Sequence, residues 1–197
     1  WYKKNINISP EQLDGRIFLH IGASDYYTEV WVNAKSAGTH KGGYASFGFD
    51  ITALLKPGEN IITVCAEDNV RSPLQPRGKQ SETYASRVCD YTRTTGIWQT
   101  VWLEFTPREY IKDFKITPCA AAGSVEMSVQ LAGAEDLSAK DFYDGSIMGE
   151  CTINNCRQSV NFSIKLNEIH LWELGCGRLY DVELHFGKDT VHTYFGL

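Results

Sequence analysis

Between Thr28 and Asn33 the residues alternate, with Val30 and Val32 on one side and Glu29, Trp31 and Asn33 on the other. A period of two belongs to a strand with one face on a core, and it limits the chain around it to a sheet architecture. The surrounding stretch, Ala23 to Asn69, keeps to that reading. Phe47, Phe49 and Ile51 repeat at period two, and Asp50 is placed to cap a single helical turn through Leu54 and Leu55 that Pro57 and Gly58 end. Ile61 to Ala66 is β-branched and apolar enough for a central strand. It delivers Glu67, Asp68 and Asn69, three polar groups in a row, to a sandwich edge, which is where a ligand would be sought.

The rest of the chain is read in the same terms. Trp1 to Ile8 and Arg16 to Ile21 are strands separated by a turn from Ser9-Pro10 to Gly15. Arg71 to Asp90 has no sustained period and is a long excursion, of a length uncommon in loops without a task. Tyr91 to Phe105 returns to strand, with Ile97, Val101 and Leu103 alternating. Thr106-Pro107-Arg108 is the expected boundary between a domain at 1–106 and one at 107–197. The second half carries short strands at Tyr110 to Thr117, Val125 to Leu131, Ile147 to Ile153, Val160 to Leu166, Leu179 to Phe186 and Thr190 to Phe195. Tyr180, Val182, Leu184 and Phe186 alternate without exception. No helix of ten residues and no fixed-period repeat is visible, so the class is all-β and the second half reads as an immunoglobulin-like β-sandwich.

Composition removes several functions. The formal charge of −5 comes with scattered Lys and Arg, which argues against nucleic acid as a partner. No apolar run reaches the roughly 20 residues that span a bilayer, and no signal-peptide blocks open the chain. The chain starts at Trp1 within a strand-like WYKKNINI, so its natural start is expected upstream. Six cysteines do not fix a pairing; Cys65 reads as a small buried hydrophobe, whereas Cys151 and Cys156 flank a four-residue stretch that suits a disulfide-closed hairpin, a pair of metal ligands or two free thiols.

ASDYYTEVWVN, then HKGGY, FDITALLKPGEN, EDN, PRGKQ and YTRTTGIWQTVWLE, in unbroken order from Trp1 to about Glu104, resemble the N-terminal sugar-binding domain of bacterial glycoside hydrolase family 2 enzymes, in their β-galactosidase branch. More weakly, LWELGCGRLYDVEL and HTYFGL are similar to the segments that close the immunoglobulin-like second domain of those enzymes and lead into their catalytic barrel. The resemblance implies a galactose-binding-like jelly-roll sandwich lacking its first strands, followed by an immunoglobulin-like sandwich. It also implies the role of such a piece, which is to brace a (β/α)₈ barrel and complete its sugar pocket.

Retaining glycoside hydrolysis needs two carboxylates about 5 Å apart, and the family's barrel takes on the order of 250 residues. The chain after Pro107 is far shorter and reads as strands only. In the resembling family the acid/base carboxyl follows an Asn, and Asn167-Glu168 supplies such a pair, yet it stands in a polar connection with no barrel strand before it. No catalytic residue, cofactor or metal is therefore expected in this chain. By motif, the family's acidic residue that reaches into the pocket maps to Asp68, with Asn69 beside it; an Asx-type turn is the competing role for the two. Arg77, Lys79 and Gln80 of PRGKQ would lie near the barrel mouth. Trp31, Trp98 and Trp102 alternate within strands and are expected to pack in a core or between domains. The implied partners are a terminal β-galactoside in the intact enzyme and the barrel itself, and apolar surface left uncovered would let copies of the chain pair. An autonomous carbohydrate-binding module or lectin is the alternative of a different class; β-glucuronidase or β-mannosidase is the alternative within the family.

Overall fold

The computed structural model describes residues 1–197 and is all-β, with no helix beyond 3-10 turns of three or four residues. It divides into two compact units, Trp1–Phe105 and Thr106–Leu197. In chain order the strands are β1 (Tyr2–Ile8), β2 (Arg16–Ile21), β3 (Ser24–Asp25), β4 (Tyr27–Val32), β5 (Lys35–Lys41), β6 (Phe47–Asp50), β7 (Gly58–Glu67), β8 (Gly96–Ile97) and β9 (Val101–Thr106). The second unit continues with β10 (Tyr110–Cys119), β11 (Ser124–Tyr143), β12 (Ser146–Lys165), β13 (Tyr180–Phe186) and β14 (Asp189–Phe195).

The first unit holds a four-stranded sheet, β1-β7-β4-β5, a three-stranded sheet, β6-β2-β9, and a two-stranded β3-β8 ladder. Ile8, Val30, Val32, Ile62 and Val64 from the first sheet meet Ile17, Leu19 and Ile21 from the second in one core. Burying each such side chain contributes roughly 1.5–3 kcal/mol. The alternation predicted for β4 is present: Thr28, Val30 and Val32 are buried while Glu29 and Trp31 face outward. The residue in the N-cap position of the 3-10 turn Thr52–Leu54 is Ile51 rather than the expected Asp50; Asp50 stands just before it, its Oδ1 accepting from the Thr52 amide (3.0 Å) and hydroxyl (2.6 Å), while Arg16 holds its other oxygen at 2.7 Å.

β4 and β5 are joined by Asn33 and Ala34, both in the left-handed region at φ 51° and 64°, which is the two-residue turn whose twist matches a hairpin. Asn33 then ties this turn to β7. Its Nδ2 donates to Leu54 O and to Asn60 Oδ1, and its Oδ1 accepts from Ile61 N. β7 is thereby fixed in register, and so is its far end, where Glu67 and Asp68 emerge.

In the second unit β11 and β12 are each 20 residues long and form one hairpin closed at Asp144-Gly145. β10 pairs with the first half of β11 and β13 with its second half. Register shifts between Gln130 and Ala134 and between Glu135 and Leu137 bend the hairpin, so it serves both the β10 side and the β13-β14 side of one core. One reading of the sequence is corrected here, and one left open is decided. The stretches Ile147–Ile153 and Val160–Leu166 are a single strand, irregular at Asn155 (φ 53°) and Gln158 (φ 60°). Cys151 and Cys156 close no disulfide: all six cysteines are free thiols, and Cys156 is buried in the core with its Sγ donating to Ile153 O.

Candidate functional site

The polar edge lies where β7 leaves the sheet. Cross-strand pairing sets Glu67 beside Tyr27 and Tyr27 beside Lys41. These three residues, with Tyr26, Asp68 and Asn69, line an open cleft of about 510 Å³. Asp68 is half-buried; its Oδ1 accepts from Gln75 Nε2 and its Oδ2 from Thr95 Oγ1 at 3.3 Å. A carboxylate has about four lone-pair sites, so two internal donors orient the group and leave room for ligand hydroxyls.

The neighbouring sequence-predicted residues divide. Asn69 makes the Asx-type turn: its Oδ1 accepts from Arg71 N (3.3 Å) and its carbonyl from Ser72 N (2.8 Å). Arg77 lies against the excursion itself, donating to Gln80 O at 3.1 Å and pairing with Glu82 at 3.1 Å. Lys79 is exposed, and its carbonyl accepts from Tyr91 N. Gln80 is buried, with both ends of its amide in use: Nε2 donates to Asp25 Oδ2 at 2.8 Å and Oε1 accepts from Thr94 N at 2.8 Å. It pins the long excursion to the sandwich.

Asp25, which no sequence pattern singled out, is the electrostatic centre of this end of the unit. It sits on β3, only 4% exposed, and its Oδ1 has no hydrogen-bond partner. Burial pushes its carboxyl above the usual carboxylate range, the Gln80 amide opposes that shift, and the charge of Asp68 adds to it. Tyr44 is shifted upward as well, first by desolvation and then by Asp25. A two-residue strand is too short to display a period, so Asp25 carried no signal beyond its place before Tyr26-Tyr27.

Trp98 and Trp102 are 51% and 43% exposed and so are not core residues of the first unit, contrary to one expectation drawn from their alternation. Trp98 follows the two-residue β8, and Trp102 lies on the edge strand β9. Trp31 faces outward too and stacks on Trp1 at 5.6 Å. Glu168 is exposed beside His170 at 3.2 Å, in the connection between β12 and β13. No group of three His, Cys, Asp or Glu side chains is placed to hold a metal ion.

Known proteins bear on this arrangement. The family model described as "Glycosyl hydrolases family 2, sugar binding domain" matches residues 1–107. A β-galactosidase of Thermoanaerobacter pseudethanolicus is 28% identical over 152 residues, 76% of this chain and 19% of that protein. A β-glucuronidase of Canis lupus familiaris is 25% identical over 194 residues, 87% of this chain and 29% of that protein. Among solved structures, a candidate β-galactosidase of Bacteroides fragilis superposes with a TM-score of 0.83 at 26% identity, over 99% of this chain and 32% of that one. The chain thus spans less than a third of each of these relatives.

Proposed function

Because the chain belongs to the glycosyl hydrolases of family 2, we propose that it is the non-catalytic front portion of a retaining exo-β-glycosidase, in which it braces a catalytic barrel and completes the sugar pocket with Asp68. The observation that carries the reading is the ordered match of residues 1–107 to the family's sugar binding domain within a chain that spans only part of its relatives. Asp68 suits the task physically: it stands at an open cleft with both oxygens oriented and neither fully used. The two catalytic carboxylates such an enzyme requires would lie on the barrel.

The second unit is read as an immunoglobulin-like sandwich. In support, Tyr180 at the start of β13 is fully buried and reaches back with its hydroxyl, donating to Glu168 O at 3.0 Å and accepting from His170 N at 2.7 Å. The arrangement is similar to the tyrosine corner of such folds, although it reaches 10 and 12 residues back along the chain.

For the substrate we favour a terminal β-galactoside, following the resemblance of the motifs to the β-galactosidase branch and the relative with 28% identity. A β-glucuronide is the second reading, favoured by the β-glucuronidases among the relatives. Asp68→Asn in the enzyme extended through its barrel is the test. The expected result is a rise in KM for the preferred aryl glycoside of about tenfold or more, the scale of one charged hydrogen bond. An unchanged KM contradicts the role of Asp68, and the ratio of kcat/KM for galactoside over glucuronide decides between the two sugars.

A further inference from the structure

Resting on the reading of the first unit as a sugar-binding domain, we propose that Tyr44 and Trp98 form a stacking corner for a pyranose ring, with the hydroxyls of Tyr44 and Tyr91 as its polar contacts. Large aromatic side chains are normally kept out of water, because each can bury 150–250 Å², a range taken roughly from folded proteins in general. These two are 57% and 51% exposed. They are nevertheless held firmly. The Trp98 indole Nε1 donates to Gly43 O at 2.8 Å, its backbone N donates to Ala23 O at 3.2 Å, and the two rings meet edge to face at 6.1 Å and 69°.

Because the indole N–H is engaged within the protein, Trp98 offers a ligand its ring rather than its donor. Two fixed rings at a steep angle make a corner that suits the C–H face of a pyranose and leaves the sugar's hydroxyls to the surroundings. Those surroundings are polar on one side. A Cβ at Gly78 would lie 3.1 Å from the Tyr44 hydroxyl and 3.5 Å from the Tyr91 hydroxyl, so the two groups converge over a residue with no side chain to obstruct them. Tyr44 keeps its proton, its acidity weakened first by desolvation and then by Asp25, with the Gln80 amide opposing the shift, and its hydroxyl can donate to a sugar oxygen.

The test is titration of this chain with methyl β-D-galactopyranoside and with methyl β-D-glucuronide, following indole N–H and backbone amide resonances by NMR. A saturable shift of the Trp98 indole and the Gly78 amide at millimolar concentrations of either sugar is expected, with the Trp172 indole unmoved. Trp98→Ala should abolish the Gly78 shift while leaving the rest of the spectrum dispersed. Tyr44→Ala should weaken binding by about fivefold, on the scale of one aromatic contact, and Tyr44→Phe separates the ring from the hydroxyl. Absence of a Trp98 shift up to the solubility of both sugars, or a Gly78 shift that survives in Trp98→Ala, overturns the corner. The pocket reading fails separately, on the Asp68→Asn KM in the extended enzyme.

Discussion

Two buried carboxyls set the residue-scale energetics, and they differ in how they are supported. Asp141, on β11, is fully buried with neither oxygen hydrogen-bonded, and burial pushes its pKa from 3.8 to about 7. The folded state keeps a proton that the unfolded chain releases above 3.8, so the second unit has this group's stability in full below that value. It loses that stability as pH rises through about 7. The loss amounts to something on the order of 4 kcal/mol, since each pH unit between the two values is worth about 1.4 kcal/mol. Urea unfolding of the second unit at about pH 4.5 and about pH 8 should show it as the less stable at the higher pH, and Asp141→Asn should flatten the difference. Asp25 has Gln80 for support. Gln80→Ala removes two internal hydrogen bonds and leaves a buried carboxylate with none, at an expected cost of about 2–3 kcal/mol in chemical denaturation of the first unit. Asp68 was legible from its motif and its place after a strand. The Asp25–Gln80 contact was not, because it joins residues 55 apart in sequence through a loop without periodicity.

At the scale of elements, period two identified most strands, since each of β4, β7 and β13 has one face on a core. It failed where a strand bends. Asn154-Asn155 looks like a turn in sequence, yet the ladder with β11 resumes on either side of it, and two apparent strands become β12. Local turn chemistry signals a change of direction; only the partner strand decides whether the chain reverses or bulges. The Asn33-Ala34 turn gives a direct check of such chemistry. Ala34 sits at φ 64°, a conformation that glycine adopts without the Cβ penalty. Ala34→Gly is therefore expected to stabilise the first unit by about 0.5–1 kcal/mol, read as a raised thermal midpoint, and Ala34→Val to lower it.

At the scale of the whole molecule, the first unit carries an apolar groove of about 420 Å³ lined by Tyr2, Ile6, Leu19, Ile62, Val101 and Trp102 among others. It runs where β1 and β9, the edge strands of the two sheets, leave the core partly uncovered. Lys3 and Lys4 on β1 discourage edge-to-edge pairing, but the groove itself stays accessible to apolar probes. The native chain should bind anilinonaphthalene sulfonate with enhanced fluorescence, and Trp102→Glu should reduce the signal without unfolding the unit. Open core and unmatched edges suit a piece of a larger enzyme, as does the small share of each relative that the chain spans. A chain that frames a sugar pocket while the acid and nucleophile reside elsewhere is tested by assaying the release of nitrophenol from aryl β-galactoside and β-glucuronide by the purified 197-residue chain. No turnover above buffer is expected with either substrate; sustained release that disappears on Glu168→Gln would place the chemistry in this chain and overturn its non-catalytic role.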